Sequence, residues 1–138
     1  MMRRYVLDAW ALLALLQREE PAATRVKQLL DTAPDTDVER FISLINLGEV
    51  VYRVGKVKGE AEAWKTLELL RRLPVTILPA DEKAVFAAVR LKMQHAISYA
   101  DAFAAAAAES LAAILVTGDP ELAQLKNAIQ LERLERTM

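Results

Sequence analysis

Cysteine is absent from this chain, and histidine occurs once, at His95. Disulfide frameworks, thiolate zinc sites and cysteine nucleophiles are thereby excluded, and His95 on its own anchors no zinc site of the usual kind. Glycine and proline are scarce too, 4 and 5 in 138 residues, so most of the chain belongs to regular elements and disorder is not an option. Neither sign of charge prevails. A formal net charge of −1 provides no global basic field to hold nucleic acid through counterion release, so any such contact has to be local. Also missing is an apolar run of the ~18 to 20 residues that would span a bilayer. The opening MMRRYVLDAWALLALLQREE imitates a signal peptide, yet Asp8 splits its apolar run and no small-x-small cleavage pattern follows, so it reads as mature structure. A soluble protein is expected, and the lack of cysteine is compatible with the cytoplasm.

What the chain does have is apolar surface. Hydrophobic residues make up 54% of it, enough for one domain over residues 1–138 with a real core and a surplus that motivates a homodimer or another partner. The pattern alternates short β-prone runs with helical stretches. Tyr5 to Leu7, Phe41 and Ile42, the VTIL run from Val75 to Leu78, and Ile114 to Val116 read as strands, with IQLERL as a last one. Between them lie an all-apolar helix from Ala9 to Leu16, one from Pro21 to about Ala33 ahead of the breaker PDTD, and one capped by Ser43 with Leu44, Leu47, Val51 and Val54 in a stripe. Next come a helix carrying Trp64, Leu67, Leu70 and Leu73 that stops at Pro74, and one capped by Asp81 whose Val85, Val89 and Met93 are predicted to face the core. The alanine-rich stretch SYADAFAAAAAES makes the next helix. Strands alternating with helices imply parallel pairing through right-handed crossovers, hence a three-layer α/β/α sandwich with a mostly parallel central sheet.

Four acids stand out because each is a lone carboxylate among apolar or small residues: Asp8, Glu49, Asp101 and Asp119. Asp8 and Asp119 directly follow strand-like runs, where open α/β sheets bind ligands. Ser98 followed three residues later by Asp101 is also the signature of a helix N-terminus, so Asp101 has a capping reading beside a ligand reading. A single ionised carboxylate is costly to bury, and such groups either cap backbone amides or converge on a cation. Converging carboxylates are hard oxygen ligands suited to magnesium or manganese, the usual equipment for phosphodiester hydrolysis.

The segments YVLDAWALLALL, ISLINLGEVVYRV, SYADAFAAAAAE and LVTGDPEL, in that order and at these separations, closely resemble the four acidic motifs of PIN-domain ribonucleases. The compact size is similar to that of VapC-type toxins of prokaryotic toxin–antitoxin pairs, and the resemblance covers nearly the whole chain. It implies a single PIN-like nuclease domain acting as an Mg2+- or Mn2+-dependent endoribonuclease on RNA, with Asp8, Glu49, Asp101 and Asp119 as metal ligands and catalytic acids. Thr117 matches the family's hydroxyl residue in the last motif, where it would orient Asp119 or the attacking water. Gly118 would allow close backbone approach. The resemblance also implies a cognate antitoxin whose tail covers the acidic pocket.

One position departs from the family pattern. A small hydroxyl residue is usual two positions after the first aspartate, and this chain has Trp10. An indole there reads as core, beside Leu12, Leu13 and Leu16, or as a platform that stacks on a base. It also gives substance to an alternative, a catalytically silent PIN-like protein-interaction module, against which the retention of all four acids counts. Other hydrolase patterns fail: there is no G-x-S-x-G elbow for a serine hydrolase, and Asp8-Ala9-Trp10 is not the D-x-D of an aspartyl phosphatase. Arg53, Lys56 and Lys58 read as solvated charge or as an RNA path towards the acids, and ERLERTM as a solvated end.

Overall fold

Five short strands with apolar cores set the architecture. The computed structural model describes residues 2–31 and 37–137. Strands β1 (Arg3–Leu7), β2 (Val38–Ser43), β3 (Thr76–Leu78), β4 (Ile114–Thr117) and β5 (Leu131–Arg133) form one sheet in the order β3-β2-β1-β4-β5, with every neighbouring pair parallel. Among the described residues seven helices connect them: α1 (Ala9–Leu16), α2 (Ala22–Asp31), α3 (Leu44–Lys58), α4 (Glu60–Arg71), α5 (Glu82–Gln94), α6 (Tyr99–Leu111) and α7 (Pro120–Ala123). None is long and apolar enough to cross a membrane.

Successive strand residues point to opposite faces. Tyr5, Leu7, Ile42 and Val116 face a core shared with α1, α2, Leu47 and Val50 of α3, and Leu70 of α4. Val6, Phe41 and Leu115 face a second core built by Ala88 and Leu91 of α5, by α6, and by Leu122 of α7. Both faces are covered, which is why the sequence of β1 and β4 reads as unbroken apolar runs rather than as alternation. Within α6, Ala102, Ala104, Ala105 and Ala106 are buried beside Phe103, and the small alanines let the helix lie against β1, β2 and β4. The chain winds from β1 through β2 to β3 in one direction, then crosses back to add β4 and β5 on the other side. The winding direction therefore switches between β1 and β4.

The expected α/β sandwich is the fold observed, and differences from the sequence reading lie in strand ends, where β1 starts earlier and β2 runs longer than expected, and in helix faces and ends. On α5 the predicted Val85, Val89 and Met93 stripe is only partly the core face: Val85 is half-buried against the second core, but Ala88 and Leu91 are the buried residues and Met93 is 77% exposed. The helix packs against α6, whose small alanines permit close approach, so the small Ala88 and the long Leu91 fill the contact in place of Met93. On α3 Leu44 is exposed while Asn46 and Val50 join Leu47 and Val51 in the interior. On α4 Trp64 is exposed and donates from Nε1 to Glu60 at 3.0 Å, leaving Leu70 as the anchor. The described part of α2 ends at Asp31, and Ala33 with most of the PDTD breaker lies outside the described residues.

These faces can be tested by truncation. Leu91→Ala should cost ~2–5 kcal/mol in chemical denaturation, and Met93→Ala less than about 0.5 kcal/mol. Equal losses at the two positions would reinstate the face read from the sequence.

Candidate active site

Each acid reaches the switch point on a different element. Asp8 follows β1, is 1% exposed, and caps α1 by accepting from the Ala11 amide at 2.9 Å. Asp119 follows Thr117 and Gly118 at the end of β4 and caps α7, where its Oδ1 accepts from the Glu121 amide at 2.9 Å. Two of the four acids thus act as helix N-caps, where exposed amides favour negative charge.

Thr117 is buried between them. Its hydroxyl oxygen accepts from the Asp119 amide at 3.0 Å, while the hydroxyl hydrogen-bonds to the Asp8 carboxyl. The side chain therefore holds Asp8 as well as the Asp119 backbone, and its partner is wider than the sequence expectation of Asp119 or water.

Asp101 lies in the first turn of α6, and the structure separates its two readings. Ser98 caps the helix, its Oγ accepting from the Asp101 amide at 3.1 Å. The reciprocal bond of a capping box would run from the Ser98 amide to Asp101, but that amide donates instead to Glu121 of α7. The Asp101 carboxyl faces Asp119, with which it shares a hydrogen bond, and also touches Glu121. Asn46 of α3, fully buried, ties the same turn from the other side by donating from Nδ2 to the Ala100 carbonyl at 3.0 Å.

Glu49 lines the same cleft, but its carboxylate is taken by Arg53 one turn on, at 3.1 Å. Among the described residues no three acids or imidazoles are drawn tightly enough to form a ready ion cage. The cleft encloses about 510 Å³, and besides the acids it is lined by Trp10, Tyr52, Arg53, Lys56 and Arg136. Lys58 and His95 are not among its lining residues; His95 caps the C-terminus of α5.

Trp10 is neither wholly core nor free. A Cβ at Gly118 would overlap Cη2, Cζ2 and Cζ3 of the indole, so the missing side chain of Gly118 is the space the ring occupies. The close approach expected at Gly118 is that of Trp10. The guanidinium of Arg136 lies over the same indole, 5.1 Å from the centroid, and pairs with Glu19 at 3.0 Å. The ERLERTM segment reads as a solvated end, so nothing local marks Arg136, and neither Glu121 nor Asn46 stands at a motif position. Only Glu121 carried a local signal, an acid two residues after Asp119.

Burial and mutual repulsion act on the acids together. Asp8 is raised to about 7, chiefly by burial, against the lowering effect of its bonds to Thr117 and Ala11. Asp101 is raised to about 8 by burial, and then by its hydrogen bond to Asp119 and that group's charge. Among the described residues no lysine or arginine forms an ion pair with Asp8, Asp101 or Asp119. Such a site holds excess negative potential that a bound cation would neutralise.

Parallel strands with unpaired carboxylates at the switch point define an α/β domain of acidic-site type. Its sequence matches the profile of the PIN domain over residues 5–128, and the chain belongs to the PIN-domain family. Its fold is similar to those of VapBC2 from Rickettsia felis bound to a promoter DNA fragment (TM-score 0.71, 21% identity, 96% of this chain and 99% of that one) and VapBC-5 from Mycobacterium tuberculosis (0.59, 25%, 96% and 98%). It is also similar to VapC20 from Mycobacterium tuberculosis, a toxin that cleaves the sarcin–ricin loop (0.70, 15%, 87% and 93%). A search of curated protein sequences finds no significant match.

The raised carboxyls make stability depend on pH. A folded-state acid raised above its unfolded value of 3.8 leaves the native state binding more protons than the unfolded chain, so stability falls as pH rises. The melting temperature of the metal-free protein should decline between about pH 4 and about pH 8 and level off above. Asp101→Asn should flatten the upper part of that decline, and a flat profile in the parent protein would contradict the burial described. Gly118→Ala should cost ~1–3 kcal/mol by overpacking against Trp10. Trp10→Ala in the same chain should relieve that cost, and additive losses in the double-mutant cycle would refute the contact.

Proposed function

We propose that the chain, as one domain over residues 1–138, is a metal-dependent endoribonuclease and the toxin of a toxin–antitoxin pair. The observation that carries this reading is that Asp8, Asp101 and Asp119 lie within reach of one another's charge at the β1/β4 switch point, with no ion-pair partner among the described residues, in a PIN-domain chain. The donor set fits a hard divalent cation, since every available ligand atom is oxygen and the raised acids are relieved by positive charge. Asp8, Asp101, Asp119 and Glu49 would hold Mg2+ or Mn2+. Bound there, the cation supplies an activated water and neutralises charge on the phosphodiester.

The remaining roles fall to the chain's own groups. Thr117 fixes the Asp8 carboxyl and the Asp119 amide, so neither acid has to be oriented when substrate arrives. Arg53, Lys56 and Arg136 line the cleft beside the acids and provide local positive charge for RNA phosphates that the overall balance lacks. Glu49 is held by Arg53, and release of that pair on RNA binding would free both groups for their tasks. The similarity to VapBC structures supports a cognate antitoxin as partner, with an arginine of its tail placed among the carboxylates. Exposed Phe86 and Met93 on α5 support a homodimer, and the cytoplasm is the compartment that suits an RNA target.

The test is cleavage of structured RNAs by purified protein with Mg2+, with Mn2+ and with chelator. Cleavage that requires the cation and falls by about 100-fold or more in Asp101→Asn, with the fold retained, is the expected outcome. Full activity in Asp101→Asn would remove Asp101 from the ligand set. Sedimentation of a strict monomer at micromolar concentration would remove the dimer and leave the nuclease reading standing.

A further inference from the structure

Glu121 belongs to none of the four acidic motif positions, yet it joins two of them. Asp119 Oδ1 accepts from the Glu121 amide, the Glu121 carboxylate accepts from the Ser98 amide, and Ser98 Oγ accepts from the Asp101 amide. Contact between the Asp101 and Asp119 carboxyls closes the ring. Two segments remote in sequence, the start of α6 and the start of α7, are locked by a cycle of four residues. Gln124 adds to the lock by donating to the Ala96 carbonyl at 3.4 Å and to the Glu121 carbonyl at 2.8 Å. From the other side Lys92 donates to the Ile97 carbonyl at 2.7 Å.

The consequence concerns Asp101. An acid three residues after an N-cap serine ordinarily reaches back to the serine amide, since that amide has no partner within the helix. Were Asp101 to do so, its carboxyl would leave the cleft. We infer that Glu121 is a positioning residue that satisfies the Ser98 amide in place of Asp101 and so keeps the Asp101 carboxyl turned towards Asp119. The inference rests on the nuclease reading for its functional consequence, but its structural half stands apart from it. The glutamate has the reach to cross from one helix start to the next, and its task at Ser98 needs an acceptor oxygen, not a charge.

Glu121→Ala and Glu121→Gln separate this role from a fifth metal ligand. Crystal structures of both variants, melting temperatures, and kcat and KM for RNA cleavage with Mn2+ are the measurements. In Glu121→Ala the Asp101 carboxyl should rotate to accept from the Ser98 amide, kcat should fall about 10- to 100-fold with KM little changed, and the melting temperature should move little because one cap replaces another. Glu121→Gln should keep Asp101 facing Asp119 and retain cleavage within about threefold, its amide oxygen serving as the acceptor. Asp101 still facing Asp119 in Glu121→Ala would overturn the inference. So would Glu121→Gln as inactive as Asp101→Asn with Asp101 in place, which would make Glu121 a ligand. If the parent protein cleaves no RNA, the nuclease reading fails, and the position of Asp101 in the two structures still decides whether Glu121 holds it.

Discussion

The parallel pairing of β1 with β4 is the constraint on which the site depends. With Leu7 opposite Val116, the first residue beyond β1 and the last residue of β4 become neighbours, and the Asp8 amide donates to the Val116 carbonyl at 3.4 Å. Shifting that register by one residue would turn every strand side chain to the opposite core and move Asp8 away from Thr117. The register is strongly specified because both faces of these central strands are buried: Val6, Leu7, Leu115 and Val116 are all fully enclosed. Hydrophobic packing across the sheet thus secures a polar site at its end.

Placing three acids in that position works against electrostatics, and among the described residues the cost is offset by backbone amides rather than by an ion pair to lysine or arginine. Asp8 and Asp119 each accept from a helix N-terminus, and the Thr117 hydroxyl adds a further bond to Asp8. Those bonds lower the proton affinity of Asp8, but burial outweighs them, and Asp101, whose own helix is capped by Ser98, gains no such compensation. A site stabilised in this way is pre-formed yet holds its carboxyls against their preferred ionisation, and a cation that binds only the folded form adds to its stability.

Trp10 shows how a departure from the family pattern is absorbed. The indole stands where a small hydroxyl group is usual, and the chain accommodates it with a glycine at 118 and a guanidinium from Arg136 laid over the ring. Cluster acids on either side of it, Asp8 and Asp119, keep their caps. The consequence falls on the cleft wall, which is aromatic and cationic where Arg136 lies over Trp10.

Much of this architecture was legible in local sequence. Strand cores, helix order, the Ser43 and Asp81 caps and the parallel α/β class follow from apolar period, proline and cap residues, because those signals arise from interactions within a few residues of chain. The four acids were found as isolated carboxylates, and family resemblance assigned them one site. What lay beyond the sequence were the choices made by partners distant along the chain: the face α5 presents to the alanines of α6, the seat of Trp10 on Gly118, the return of Arg136 to the cleft, and the exchange at Ser98 that leaves Asp101 free. Each depends on which of two locally acceptable contacts a side chain takes. Local propensity leaves these nearly equal in energy, and only the packing of remote elements decides between them.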